Sequence, residues 1–349
     1  MSTSYHRLAR ETPVHRWWRL PLAGILGLAG YFAAGVGLLA AAAFVIYASG
    51  RDVETVIDRW SESPELDLTA PGLFAVSMIS IAILLPVVLI AVQITGPRPI
   101  GFLTSVEGRM RWRWLGRVAA VAFAVYGVAL GVSLAVTAAT SPGQVSAPQI
   151  DGTAVLVLAL ILLLTPFQAA AEEYVFRGYV LQLVGSWTRF AAIPVIVSVP
   201  LFAVGHTYGL WGLVDVGVFG LTAAYLTIRT GGLEAAIAAH IANNVVLMVV
   251  EALGIVGFSD NGGPLELIPT VVTSITMVLY VSRLADRLGI ARTRAPIEPL
   301  PPPRGVWPRP QALSGGLVAQ WPPPVVRAEP TLHPDTPDYP GELPPGWKP

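Results

Sequence analysis

Long apolar runs constrain this chain more than any other feature. A helix needs about 20 consecutive apolar residues to cross a hydrocarbon core. The clearest runs are Leu22–Ala48, Gly72–Ile94, Val118–Ala139, Leu233–Ile255 and the slightly short Leu267–Val281. Three less clean runs lie between them: Ala154–Ala171, Ile193–Val204 with an extension to Tyr208, and Leu210–Ile228. The expectation is an all-α membrane protein of about eight transmembrane helices. Composition agrees: 54% of the 349 residues are apolar and 13% are charged, about half the charge of an ordinary soluble chain. The 22 basic and 22 acidic residues cancel, which argues against a nucleic-acid partner, since phosphate neutralisation needs a basic surface. Cysteine is absent, which removes disulfides, thiolate metal sites and cysteine nucleophiles.

Arginine placement sets the expected orientation, because short cytoplasmic loops retain positive charge. Arg7, Arg10, Arg16 and Arg19 precede the first run, and Arg98, Arg109, Arg111, Arg113 and Arg117 separate the second from the third. Arg177, Arg189, Arg229, Arg283, Arg287, Arg292 and Arg294 fall in later alternate positions. The opposite side holds Arg51 and Arg59 among six acids. Both termini are therefore predicted cytoplasmic. The first apolar run is too long for a signal-peptide core of about 7–15 residues. Trp17, Trp18, Trp112 and Trp114 read as interfacial anchors. The GxxxG of Gly127 and Gly131, and the glycines of the first run, read as packing within the bundle.

Four regions follow from this layout: a cytoplasmic segment over 1–21, three transmembrane helices and their loops over 22–150, a polar-bearing transmembrane core over 151–294, and a tail over 295–349. The tail holds 17 of the chain's 31 prolines, so an extended or disordered cytoplasmic segment is expected. No internal repeat is evident.

The chemistry is expected in the least hydrophobic runs. An ionisable side chain near the middle of a membrane helix costs about 2.5 kcal/mol or more, so those that persist face the bundle interior and act there. Three clusters qualify. Glu173 and Arg177 are i, i+4 neighbours in the favourable order, while Glu172 points about 100° away and is left for general acid or base work. Phe202 and His206 share a helix face, as do His240 and Asn244. If the fourth helix continues to about Val184, Glu172 reaches the depth of His240 and Asn244. Pro166 is a candidate kink. Asp215 and Glu251 read as interfacial, and Glu234 as a carboxylate offsetting the dipole of the seventh span.

Glu-Glu-x-x-x-Arg, then Phe-x-x-x-His, then His-x-x-x-Asn on three successive motif helices resembles the CAAX-protease and bacteriocin-processing (CPBP) family, also called the ABI family. These are intramembrane proteases whose eukaryotic member cleaves prenylated CAAX proteins. The resemblance spans Leu156 to about Val250, including Phe176-Arg177-Gly178 and Arg229-Thr230-Gly231-Gly232-Leu233. It departs from the family pattern where Gly205 and Gly209 flank His206. The resemblance implies an intramembrane endopeptidase acting on a membrane-associated protein or peptide, in a cell membrane of bacterial type, with its site reached from the cytoplasm. It implies Glu172 as the catalytic carboxylate, His206 as its helper at the attacking water, His240 and Asn244 as oxyanion donors, and Glu173, Arg177 and Phe202 as support. The family is also classed as metal-dependent, and Glu172, His206, His240 and Asn244 could ligate zinc. Water activated by Glu172 without an obligatory metal is the slightly favoured reading, and a zinc-bound water stays open beside it. A catalytically silent scaffold or immunity-type protein and a proton-coupled transporter stand as alternatives. Oligomeric state is not legible.

Overall fold

The computed structural model describes residues 2–11, 15–62, 67–96, 100–141, 143–257 and 263–295. The proline-rich tail expected from residue 295 onward lies outside the described residues except for Ala295. Among the described residues twelve α-helices follow in chain order: α1 (Arg19–Ala48), α2 (Val53–Glu62), α3 (Pro71–Ala82), α4 (Leu84–Thr95), α5 (Gly101–Thr104), α6 (Trp112–Thr140), α7 (Gly152–Glu173), α8 (Leu181–Gly185), α9 (Ala192–Ala203), α10 (Leu210–Thr230), α11 (Glu234–Ala252) and α12 (Leu267–Arg287). A 3₁₀ helix spans Tyr5–Glu11, and strand β1 (Thr3–Ser4) pairs antiparallel with β2 (Thr293–Arg294).

The protein is an all-α integral membrane protein. Seven helical stretches among the described residues are long and apolar enough to cross a bilayer: Arg19–Ala48, Pro71–Thr95, Trp112–Thr140, Gly152–Gly185, Leu210–Thr230, Glu234–Ala252 and Pro264–Arg287. The second joins α3 to α4 across a break at Ile83, where Pro86 cannot donate to the carbonyl of Ala82. The fourth joins α7 to α8 through a π-helical turn, Tyr174–Val180. Thus the helix does continue past Glu172, as the depth argument required. The expected eighth span differs. Its helix, α9, has 12 residues, or about 18 Å of rise, well short of a hydrocarbon core of about 30 Å.

Segments that the arginine pattern assigned to one side do meet at one end. The Nη1 of Arg111 donates to the carbonyl of Ala291 at 3.2 Å, and Arg10 to that of Ser186 at 3.4 Å. The backbone N–H of Val106 donates to Gly231 at 2.8 Å, and that of Leu233 to Thr104 at 2.9 Å. At the other end, the N–H groups of Ser146 and Gln149 donate to the carbonyls of Ile255 and Leu253, each at 2.8 Å.

Packing is uneven across the bundle. Only 6% of the most apolar stretch of α1 is buried, against 50% of that of α11. Ala235, Ala236, Ala238, Ala239 and Ala242 bring α11 close to its neighbours, since small side chains let helices approach in lipid. The glycine expectation holds only in part. Gly24, Gly27 and Gly30 lie against Tyr179, Ala91 and Val87, whereas a Cβ at Gly127 or Gly131 would meet no atom within 4 Å. The GxxxG of α6 therefore does not pack within this bundle.

Segment 3–11 is seated rather than free. Tyr5 and Leu8 are fully buried, and the Tyr5 hydroxyl donates to the carbonyl of Leu103. A Cβ on Gly185 would lie 2.1 Å from the carbonyl oxygen of His6, so only glycine admits this approach of α8.

Candidate active site

The site lies where α7 crosses α11. Asp151 starts α7 by accepting the N–H of Ala154 at 2.7 Å, a side-chain N-cap. The helix then runs apolar until its last turns, where Gln168, Glu172 and Glu173 are all buried. The two helices run antiparallel and meet in rungs. The Thr165 hydroxyl donates to the Met248 sulfur at 3.8 Å, the Asn244 amide to Gln168 Oε1 at 3.1 Å, and Glu172 Oε2 lies 3.4 Å from His240 Nε2. Each rung moves three or four residues up α7 and down α11, the spacing at which one helix face repeats.

Glu173 does more than pair with Arg177. Its Oε1 accepts from Arg177 Nη1 at 3.0 Å and from His240 Nδ1 at 2.8 Å. The Glu173 and Arg177 side chains are fully buried. A carboxylate on Nδ1 fixes the imidazole tautomer and ring orientation, so Nε2 is the atom presented to Glu172. A ring carrying a proton on both nitrogens would meet a carboxylate at each, Glu173 at Nδ1 and Glu172 at Nε2.

The π-helical turn begins immediately after Glu173. Its i→i+5 bonding appears in the Leu181 N–H donating to the carbonyl of Phe176. That carbonyl also accepts the Ser198 hydroxyl at 2.8 Å, which ties α9 to the turn. The Arg177 guanidinium lies 4.0 Å over the Phe202 ring, a desolvated cation–π contact. Gly220 makes room for both: a Cβ there would come within 3.2 Å of Arg177 and of Phe202. Phe202 is in turn edge-on to His206 at 4.9 Å and to His240 at 6.0 Å between ring centroids.

His206 stands differently from expectation. It lies three residues past the end of α9, half-buried, rather than on a continuing helix face. Its Nδ1 bonds the carbonyl of Phe202 at 3.0 Å, which makes Nδ1 the donor and leaves Nε2 as an acceptor. Among the described residues no ion pair joins it to Glu172, and Phe202 is the ring between it and His240.

Zinc needs three or four side-chain donors about 2.0–2.2 Å from one point. Among the described residues no group of three or more His, Asp or Glu side chains gathers to hold a metal ion, and the Asn244 amide is turned to Gln168. The proposed ligand set of Glu172, His206, His240 and Asn244 does not fit that geometry as arranged.

One residue of consequence escaped the sequence reading, and a second was read too narrowly. Gln168 stands one turn before Glu172 on the same face, and a lone amide in an apolar run was the available signal. Glu234 carries more than a dipole role. It accepts from Arg111 Nε at 2.8 Å, Nη2 at 2.6 Å and the backbone N–H at 3.0 Å, from a partner 123 positions away.

Residues 153–246, which contain every rung of this site except Met248, match the family model described as Type II CAAX prenyl endopeptidase Rce1-like. A curated relative is the Uncharacterized protein YyaK of Bacillus subtilis (strain 168), 29% identical over 171 residues, 47% of this chain and 56% of that protein. The match thus spans about half of each chain. No solved structure matches.

Proposed function

We propose that this protein is an intramembrane endopeptidase that hydrolyses a peptide bond of a membrane-associated protein, entered from the arginine-rich, cytoplasmic side of a bacterial-type cell membrane. One observation carries the reading: the buried chain Glu173–His240–Glu172, with a carboxylate on each ring nitrogen of one histidine inside a membrane bundle. The likeness of residues 153–246 to a CAAX endopeptidase family supports the same reaction class.

In this mechanism Glu172 takes a proton from a water whose oxygen bonds to the scissile carbonyl carbon. A positioned base contributes about 10²–10⁴-fold. The carbonyl oxygen, now anionic, accepts from His240 Nε2–H and Asn244 Nδ2–H, and such donors are each worth about 10²–10³-fold. The C–N bond then breaks, and the proton held by Glu172 passes to the leaving amine. Glu173 holds His240 in the donor form, and Arg177 balances the charge of Glu173. His206 orients the water through Nε2. No step runs through a metal.

The test is cleavage of a membrane-anchored peptide library by the purified protein in detergent. Glu172→Ala and His240→Ala abolish cleavage while thermal unfolding is retained, and a strong chelator leaves the wild-type rate unchanged. Cleavage by Glu172→Ala at the wild-type rate overturns the reading. Loss of activity to the chelator overturns its metal-free form.

A further inference from the structure

We infer that Gln168 is a positioning residue for the oxyanion site, setting which end of the Asn244 amide faces the reacting carbonyl. The inference rests on the peptidase reading above and adds a residue to it.

The argument begins with the symmetry of an amide. An Asn side chain is nearly the same shape after a half-turn about its last bond, but that turn exchanges two N–H donors for a carbonyl oxygen. Toward a developing oxyanion, one orientation stabilises and the other repels. Something must therefore break the degeneracy. On α11, Asn243 Nδ2 donates to Asn244 Oδ1 at 3.0 Å. That fixes the carbonyl end, but Asn243 is itself only half-buried and is the adjacent residue on the same helix. The independent restraint comes across the helix interface, where Gln168 Oε1 accepts from Asn244 Nδ2 at 3.1 Å.

Gln168 is suited to this by its own setting. It is 4% exposed, and it stands one helical turn from Glu172, the rung that meets His240. A buried amide left half-paired loses the desolvation cost of that group, so turning Asn244 over would set two carbonyl oxygens against each other. The hydrogen bond uses one of the two Nδ2 protons and leaves the second for substrate. Gln168 touches neither water nor substrate in this arrangement. It acts through Asn244.

A glutamine also differs from the obvious alternative acceptor. A carboxylate would accept the same hydrogen bond but would place a negative charge one turn from Glu172 and beside the oxyanion. Neutrality with an acceptor oxygen is what the position requires.

The experiment uses the full chain in detergent with a membrane-anchored peptide that the wild type cleaves. Gln168→Met lowers kcat by about tenfold to a hundredfold, the range for losing or misaligning one oxyanion donor. KM stays within about twofold. Gln168→Met combined with Asn244→Ala is no slower than Asn244→Ala alone, since a residue that acts through another has nothing left to position. Gln168→Glu keeps the acceptor oxygen. Its kcat falls relative to wild type at alkaline pH and recovers as acid restores a neutral carboxyl, a profile that simple packing would not produce. A wild-type kcat in Gln168→Met, or a loss that adds in full to that of Asn244→Ala, overturns the inference while leaving the peptidase reading intact. Should Gln168→Met fail to fold, Gln168→Asn, which withdraws the acceptor by one methylene, takes its place, and a wild-type kcat there overturns the inference equally. Absence of cleavage by the wild type, or full cleavage by Glu172→Ala, overturns the peptidase reading, and this inference falls with it.

Discussion

Two buried arginine–glutamate pairs sit among the described residues, and they are finished differently. At the arginine-rich end, every guanidinium nitrogen of Arg111 is engaged: Nε and Nη2 bind Glu234, Nη2 also reaches the carbonyl of Thr230, and Nη1 reaches that of Ala291. Inside the bundle, Arg177 gives one hydrogen bond to Glu173. Its Nε and Nη2 have no hydrogen-bond partner among the described residues, nor do Glu173 Oε2 and Glu172 Oε2. A structural pair closes on itself. A pair serving a reaction keeps polar atoms in reserve, and at the π-helical turn the face of Phe202 stands in for the acceptors that Arg177 lacks. The lesson is that burial and charge alone do not mark a site, whereas incomplete satisfaction beside a histidine does.

The largest effect is expected at the Arg111–Glu234 pair. Removing one partner of a buried ion pair costs about 3–5 kcal/mol, because the other charge is left buried and unpaired. Arg111→Met should lower unfolding stability by that amount in detergent denaturation. Arg111→Met with Glu234→Leu should recover most of it. If the double variant is as unstable as the single one, the pair is not the self-contained latch described here.

Next comes Glu173→Gln, which removes the charge that holds His240 while keeping a hydrogen-bond acceptor. Losses of about 10- to 100-fold in kcat are typical when a carboxylate behind a working histidine is altered. Stability should fall as well, since the buried Arg177 charge then faces a neutral amide, so kcat is read on the folded protein. A variant that unfolds as readily as Arg111→Met, yet cleaves normally once folded, would erase the contrast between the two pairs.

The smallest effect belongs to segment 3–11 at the latch end. Burial, with the neighbouring Arg7 charge, holds the His6 imidazole below its ordinary value. Because the unseated segment binds the proton more readily, the seated form is fully favoured above about pH 6.5 and weakens as pH falls through the lowered value. Limited proteolysis of residues 3–11 should accelerate on acidification, and His6→Gln should flatten that dependence. Equal acceleration in both would show that His6 is not the sensor.

Much of this was legible beforehand, and the limits have physical causes. Glu172, Glu173, His240 and Asn244 stood out because lipid makes each polar residue expensive, so the few that remain signal themselves. The gathering of alternate loops at one end followed from arginine placement. The π-helical turn was hidden because i→i+4 and i→i+5 bonding share the same apolar pattern. The 12-residue length of α9 was masked by the residues from Val204 to Tyr208, which read as an extension of its apolar run. The Arg111–Glu234 latch was out of reach because pairing across 123 positions leaves no local periodicity.

One feature bears on how the molecule is made. Thr3 and Ser4 pair with residues that leave the ribosome about 290 positions later, a wait of roughly 15–60 s at about 5–20 residues per second. Until α12 is threaded into the bilayer, β1 has no strand to join. The shelf that receives Tyr5 is complete only when α5 and α8 are in place. Residues made early are thus among the last to be seated, and the closing of this small two-stranded seam waits on the whole bundle that lies between its strands.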